Sequence, residues 1–192
     1  MAVLILGLLL FLGAHCLRIF ANRWREQQVV RFGEGRWKGL FALVSIVGFA
    51  LIVVGFGLAR RQPVLLYVSP LWLRHLNALF TLIAFVLVAA AYVPRNRIRT
   101  KLGHPMLAGT ALWAFGHLLA TGMLHDVLLF GPFLLWAVTD FVVSRRRDRA
   151  VGTVCPPGTT QGDVITLLSG IAAWAVFAFL LHAWLIGVSP MT

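Results

Sequence analysis

Six apolar stretches divide the chain, each near the length that a bilayer core demands of one helix: Met1–Phe20, Gly39–Leu58, Leu71–Tyr92, Pro105–Leu124, Val127–Val143 and Val164–Val188. A spanning helix needs about 20 such residues, because it rises about 1.5 Å per residue across roughly 30 Å of hydrocarbon. Within lipid only a helix or a closed barrel satisfies its own backbone hydrogen bonds. The fifth stretch is the shortest, and its connection to the fourth is so brief that the two form a helical hairpin. Composition agrees, since 60% of the 192 residues are hydrophobic and only 12% charged, about half the charged share of a soluble domain. The fold class expected is all-α: a polytopic membrane bundle of about six transmembrane helices, one domain over residues 1–192.

The basic residues give the orientation. Arg18, Arg23, Arg25, Arg31, Arg36 and Lys38, then Arg95, Arg97, Arg99 and Lys101, then Arg145, Arg146, Arg147 and Arg149 all fall at one end of an alternating bundle. Only Arg60, Arg61 and Arg74 fall at the other. Fourteen of 17 basic residues thus mark one side as cytoplasmic. Both termini are expected on the outer, periplasmic side of a bacterial inner membrane. The net charge of +11 is read as topology and lipid-headgroup contact rather than nucleic-acid binding. No charge precedes Arg18, and bulky His15 stands before Cys16 where a lipoprotein-type cleavage needs a small residue, so the first stretch reads as a retained helix rather than a signal peptide. Cys16 and Cys155 offer neither a disulfide framework nor a zinc spacing. Val151–Asp163, with Pro156-Pro157-Gly158, reads as a flexible cytoplasmic connector.

Polar groups that lipid makes costly are the first candidates for function: His15, Arg18, Arg74, His75, Asn77, His104, His117, His125, Asp140 and His182. His125, beside Asp126, reads as a solvated turn residue, and Arg74 with His75 as an interfacial pair. His104 precedes Pro105, a combination suited to starting a helix or to a functional role. His15, His117 and His182 serve either interhelical hydrogen bonds or ligation. His104 and His117 are thirteen residues apart, about 20 Å along one helix and about 140° around it, so they cannot chelate one ion from that helix. Gly109, Gly116 and Ala120 make a small-residue strip beside His117. It serves close helix packing or leaves room for a flat ring against Trp113.

The segment Pro94–Leu124, with its basic run, His104-Pro105, Trp113 and His117-Leu118-Leu119, resembles the NnrU family of bacterial membrane proteins. The resemblance extends to LGAHCLRIF near the start, to LFGPFLLWAVTDF and to Arg145–Arg147. Thr121 stands where the family carries Asn, and Cys16 where Ser is common; neither change removes a candidate ligand. The family is associated with denitrification, and a similar domain forms the plant 15-cis-ζ-carotene isomerase, which holds haem b through histidines. The resemblance therefore implies non-covalent haem b with His15 and His117 as axial ligands; His104 matches a further recurring histidine but lies too near the interface to be read as a ligand. Residue chemistry would set Trp113 against the ring and Arg18 at a propionate. His15 lies about 12 Å and His117 about 20 Å from the inner edge, so one iron between them requires helix tilt, and His182 is the reserve ligand. Asp140 is the expected partner for the second nitrogen of His15.

Two functions follow. One is a haem-dependent isomerase or oxidoreductase acting on a lipid-soluble substrate. The other is a non-enzymatic accessory protein for the expression or assembly of nitrite and nitric oxide reductases. A small transporter fits less well, because no inverted repeat is visible.

Overall fold

The computed structural model describes residues 1–188 and residue 190. Of the single domain expected over 1–192, Ser189, Met191 and Thr192 lie outside the described residues. Helices follow in the order α1 (Ala2–Phe20), α2 (Asn22–Phe32), α3 (Glu34–Ala59), α4 (Leu71–Tyr92), α5 (Arg97–Leu102), α6 (Pro105–Ala120), α7 (Leu124–Val151) and α8 (Thr160–Val176). A π-helical turn, Phe177–Leu181, then leads into α9 (His182–Ile186). The fold is an all-α membrane bundle. Five of its helical segments are long and apolar enough to cross a membrane, with α6 a shorter apolar helix beside them.

The packing is that of a protein whose solvent is lipid. On α3 the buried positions are Gly48, Ile52, Gly55 and Ala59, while Leu43, Ile46, Phe49 and Val53 lie exposed. Small residues turn inward so that backbones approach closely, and bulky apolar ones face outward. A Cβ at Gly7 of α1 would stand 2.6 Å from the Ile52 nitrogen and 2.9 Å from the Gly48 oxygen; one at Gly48 would stand 2.7 Å from the Phe11 nitrogen. These two helices therefore touch through backbone. Gly109 meets α4 in the same way, at 2.9 Å from the Ala84 oxygen, and Gly116 packs on Asn77 and Phe80. Of the two readings of the small-residue strip on α6, close helix packing is the one realised.

Helix α7 joins two halves. By helix packing, α1, α2 and α3 form one group and α4, α5, α6 and α8 another; among the described residues α7 is the helix that packs against both, through α1 and α3 on one side and α6 on the other.

Several boundaries depart from expectation. The fourth span stops at Ala120 and the fifth, expected to be the shortest, is the longest helix of the chain. Thr121–Met123 are extended because the segment before α4 straps across them: the Leu66 nitrogen donates to the Gly122 oxygen (2.8 Å) and the Leu124 nitrogen to the Val64 oxygen (2.8 Å). Tyr67 and Ser69 also donate their hydroxyls to the Leu118 and Leu119 carbonyls. At 28 residues α7 is about 42 Å long, so its arginine-rich end projects beyond a hydrocarbon core of about 30 Å.

The Val151–Asp163 connector is not loose. The Thr159 nitrogen donates to the Arg95 oxygen (2.7 Å) and Thr100 Oγ1 to the Pro156 oxygen (2.9 Å). Asp163 accepts from both the backbone nitrogen (2.7 Å) and Nη1 (3.0 Å) of Arg97. The turn that receives it is built on buried Asn96, which donates to the Ala90 and Val93 carbonyls and caps α5 by accepting from the Arg99 nitrogen at 2.7 Å. Gly103 ends α5 at φ +74°, where a side chain would be strained.

Candidate functional site

A cavity of about 520 Å³ lies at the basic end of the bundle, within the range of small-molecule sites. One wall carries His15 and Arg18 of α1, Arg25 of α2, and Trp37, Lys38 and Phe41 of α3. The opposite wall carries Arg99 of α5 and His104 at the head of α6. Trp136, Asp140 and Ser144 of α7 complete it; their spacing of four places them on one face of that helix. Of the expected cofactor residues, His15, Arg18 and His104 line this cavity, and His117 and Trp113 do not.

His15 is held by its own helix and by aromatic neighbours. Its Nδ1–H donates to the Phe11 carbonyl of its own helix (2.7 Å), and its ring stacks on Phe11 at 4.3 Å between centroids. Phe41 (5.0 Å) and Trp136 (5.6 Å) meet it edge-on. With Nδ1 protonated, the neutral ring keeps its lone pair on Nε2, the tautomer a metal ligand needs. Asp140, expected to supply that hydrogen bond, instead accepts from Ser144 Oγ (3.0 Å), which itself accepts from Arg147 (3.1 Å). The helix backbone one turn back is nearer to Nδ1 than any side chain of α7, and it takes the role.

His104 takes the structural role foreseen for it. It is the N-cap of α6 with Pro105 in the first turn. Its Nε2–H also donates to Asp148 Oδ2 of α7 at 2.8 Å, so the remaining lone pair is on Nδ1. A carboxylate on one imidazole nitrogen and a free lone pair on the other is the usual arrangement behind a histidine ligand.

His117 lies elsewhere. Its Nδ1–H donates to the Trp113 carbonyl (2.8 Å), and its ring stacks on Phe130 at 4.5 Å. The contacts from His117 to His15 run in series through Trp113 (5.3 Å), Phe133 (5.8 Å) and Phe11 (5.8 Å). The two histidines thus face the same aromatic layer from different ends and do not meet across one site. His182, the reserve, donates Nδ1–H to the Val188 carbonyl (2.6 Å) and meets Phe177 edge-on at 5.8 Å. Among the described residues no three His, Cys, Asp or Glu side chains gather as a metal site.

His125 is not a solvated turn residue. It is 5% exposed, under the strap before α4, with Phe56 edge-on at 5.2 Å and Asp126 Oδ1 at 3.5 Å. The strap could not be foreseen from the hairpin alone. Arg74 and His75 are exposed near the other end of the bundle, as an interfacial pair would be.

Four cavity residues had no signal of their own in the sequence. Arg25, Lys38 and Arg99 were indistinguishable from other topology-setting cations. Trp136 lies in an apolar stretch without a marker of its own, and its Nε1 is buried without a hydrogen-bond partner among the described residues.

The chain matches the family described as NnrU protein over residues 3–190. No curated protein and no solved structure matches it.

Proposed function

This chain belongs to the NnrU family, and from that premise we propose that it is a haem-b-binding protein of the bacterial inner membrane, crossing it six times with both termini periplasmic. The reading rests on one observation above all: His15, with its Nδ1–H committed to Phe11 and its Nε2 free, lines a cavity that also holds four cationic side chains. The donor set suits the group. His15 would offer an imidazole lone pair to the iron, Arg18 would pair with a propionate, and Phe41, Trp37 and Trp136 would cover the apolar ring. His104, backed by Asp148, is the second imidazole on the same cavity. His117 would serve as the partner ligand only if α6 and α7 moved so as to take Phe133 and Trp113 out of the way.

When bound, such a group supplies Lewis-acid or one-electron chemistry to a substrate. The chain's own residues hold the ring, exclude water through the aromatic layer, and keep the His15 tautomer fixed. The substrate that reaches such a site from lipid is itself lipid-soluble, and the activity proposed is isomerisation or oxidoreduction. The alternative, which rests on the family membership, is a non-enzymatic accessory role in the expression or assembly of denitrification enzymes.

Protein purified in detergent from haem-replete cells should show a Soret band, and His15→Ala should abolish it while His117→Ala leaves most of it. A folded, cofactor-free wild-type protein would refute the proposal. A deletion strain that loses nitrite reductase output while the purified protein is colourless would establish the accessory role instead.

A further inference from the structure

We infer that the basic-end cavity contains an anion subsite, formed by Arg18, Arg25 and Arg99 on a lining that includes Trp136, and that it takes an amphiphile carrying carboxylate or phosphate on an apolar body. The inference deepens the reading of the same cavity given above but does not need iron.

Charge is its first support. Arg18, Arg25 and Arg99 come from three separate helices to one cavity. Among the described residues none of them forms an ion pair; Arg99 spends one N–H on the Ala91 carbonyl at 3.1 Å. Lys38, the fourth cation, is already neutralised by Glu34 at 2.7 Å and is not counted in the subsite. The acidic side chain lining the cavity is Asp140, which is buried. Three cations facing one cavity with a single buried carboxylate leave an excess of positive charge that an anion would offset. Guanidinium groups match carboxylate and phosphate through paired N–H donors.

The lining is the second support. Trp136 Nε1 is a buried donor without an acceptor, and such a group costs free energy until something accepts from it. Trp37, Phe41 and Trp136 give the same cavity an apolar wall. Ordinary adsorption of anionic lipid to surface arginines needs neither the concavity nor the buried N–H, so the two modes differ in saturability.

The chemistry could come from a phospholipid headgroup or from the propionates of a porphyrin. Detergent-purified protein is titrated with dodecyl phosphate, with metal-free protoporphyrin IX and with zwitterionic dodecylphosphocholine, read by quenching of tryptophan fluorescence and by native mass spectrometry. Saturable 1:1 binding of either anionic probe is expected, weakened about tenfold or more by Arg25→Gln with Arg99→Gln. Which probe binds identifies the source. A failed haem assay with intact probe binding would sink the haem reading alone. Circular dichroism at the wild-type helical level shows that the double variant is folded; Arg23→Gln, outside the cavity, is the control. Equal binding of dodecylphosphocholine, unaltered affinity in the folded double variant, or no 1:1 complex with either anionic probe would overturn the inference.

Discussion

Alanine at Gly7 and alanine at Gly13 should have opposite effects, although both residues lie in α1. A Cβ at Gly7 meets backbone on α3, at 2.6 Å from the Ile52 nitrogen, 2.8 Å from the Leu51 carbonyl carbon and 2.9 Å from the Gly48 oxygen. Carbon needs roughly 3.4–4 Å from such atoms. Backbone cannot swing aside as the tip of a side chain can, so α1 and α3 must part by close to an ångström. Overpacking of this kind costs about 1–3 kcal/mol. Gly13 has nothing within 4 Å of its added Cβ, and replacing a mid-helix glycine there gains about 0.5–1 kcal/mol. For a chain of this length about 2–4 °C accompanies each kcal/mol. Thermal unfolding in maltoside detergent should therefore show Gly7→Ala several degrees below the wild type and Gly13→Ala slightly above it. A Gly7→Ala protein as stable as the wild type would mean that α1 and α3 do not meet through backbone. The wall carrying His15 and Arg18 would then have to be rebuilt.

Three further outcomes follow from the same geometry. Asp163→Asn weakens both contacts to Arg97; with Arg97 half exposed the loss is about 1 kcal/mol, so amide exchange across 152–160 should accelerate roughly fivefold, and unchanged exchange would show that the connector is held otherwise. Tyr67 in the strap has its pKa raised, by burial first and by the Asp126 charge second. A raised folded-state pKa means that the protonated hydroxyl contributes stability up to the ordinary tyrosine value near 10 and loses it as pH rises further. Protection of the strap should accordingly be flat through neutral pH and fall above about pH 10, whereas Tyr67→Phe should show a lower, pH-independent protection. Asp148→Asn, which removes the charge behind His104, should shift the Soret maximum of the haem-loaded protein if His104 is a ligand, and leave it in place if His15 ligates alone.

The spans were legible because lipid imposes a length and a composition on them: Leu71–Tyr92 falls on α4 to the residue. Charge placement was legible in part: Arg18, Arg25, Lys38 and Arg99, from separate basic stretches, line one cavity. What escaped was whatever depends on contacts distant in sequence. Pro156-Pro157-Gly158 rightly excludes helix, yet nothing nearby tells that Gly158 must be bare because Arg97 packs against it. Depth and helical angle placed His15 and His117 on separate helices at different heights. Neither quantity could reveal that Phe133 of α7 stands between them. The short helices α2 and α5 lie within what reads as charged loop, because their helical character comes from Asn96 capping and from glycine stops at Gly33 and Gly103 rather than from an apolar period.

The position of α7 between the two helix groups has a mechanical meaning. Two bodies that share one spine can hinge about it, and the end at which they splay is the end without a brace. The cavity lies at such an end, with α1–α3 on one side and α5 and α6 on the other. A molecule that grips both sides acts as a tie-bar, and its binding free energy adds to the work of forcing the groups apart. By mass action that increment grows as RT ln(1 + [L]/Kd), about 2.7 kcal/mol at a hundredfold excess over Kd. The resistance of this bundle to unfolding thus becomes a gauge of cavity occupancy, readable without knowing what reaction, if any, the occupant undergoes.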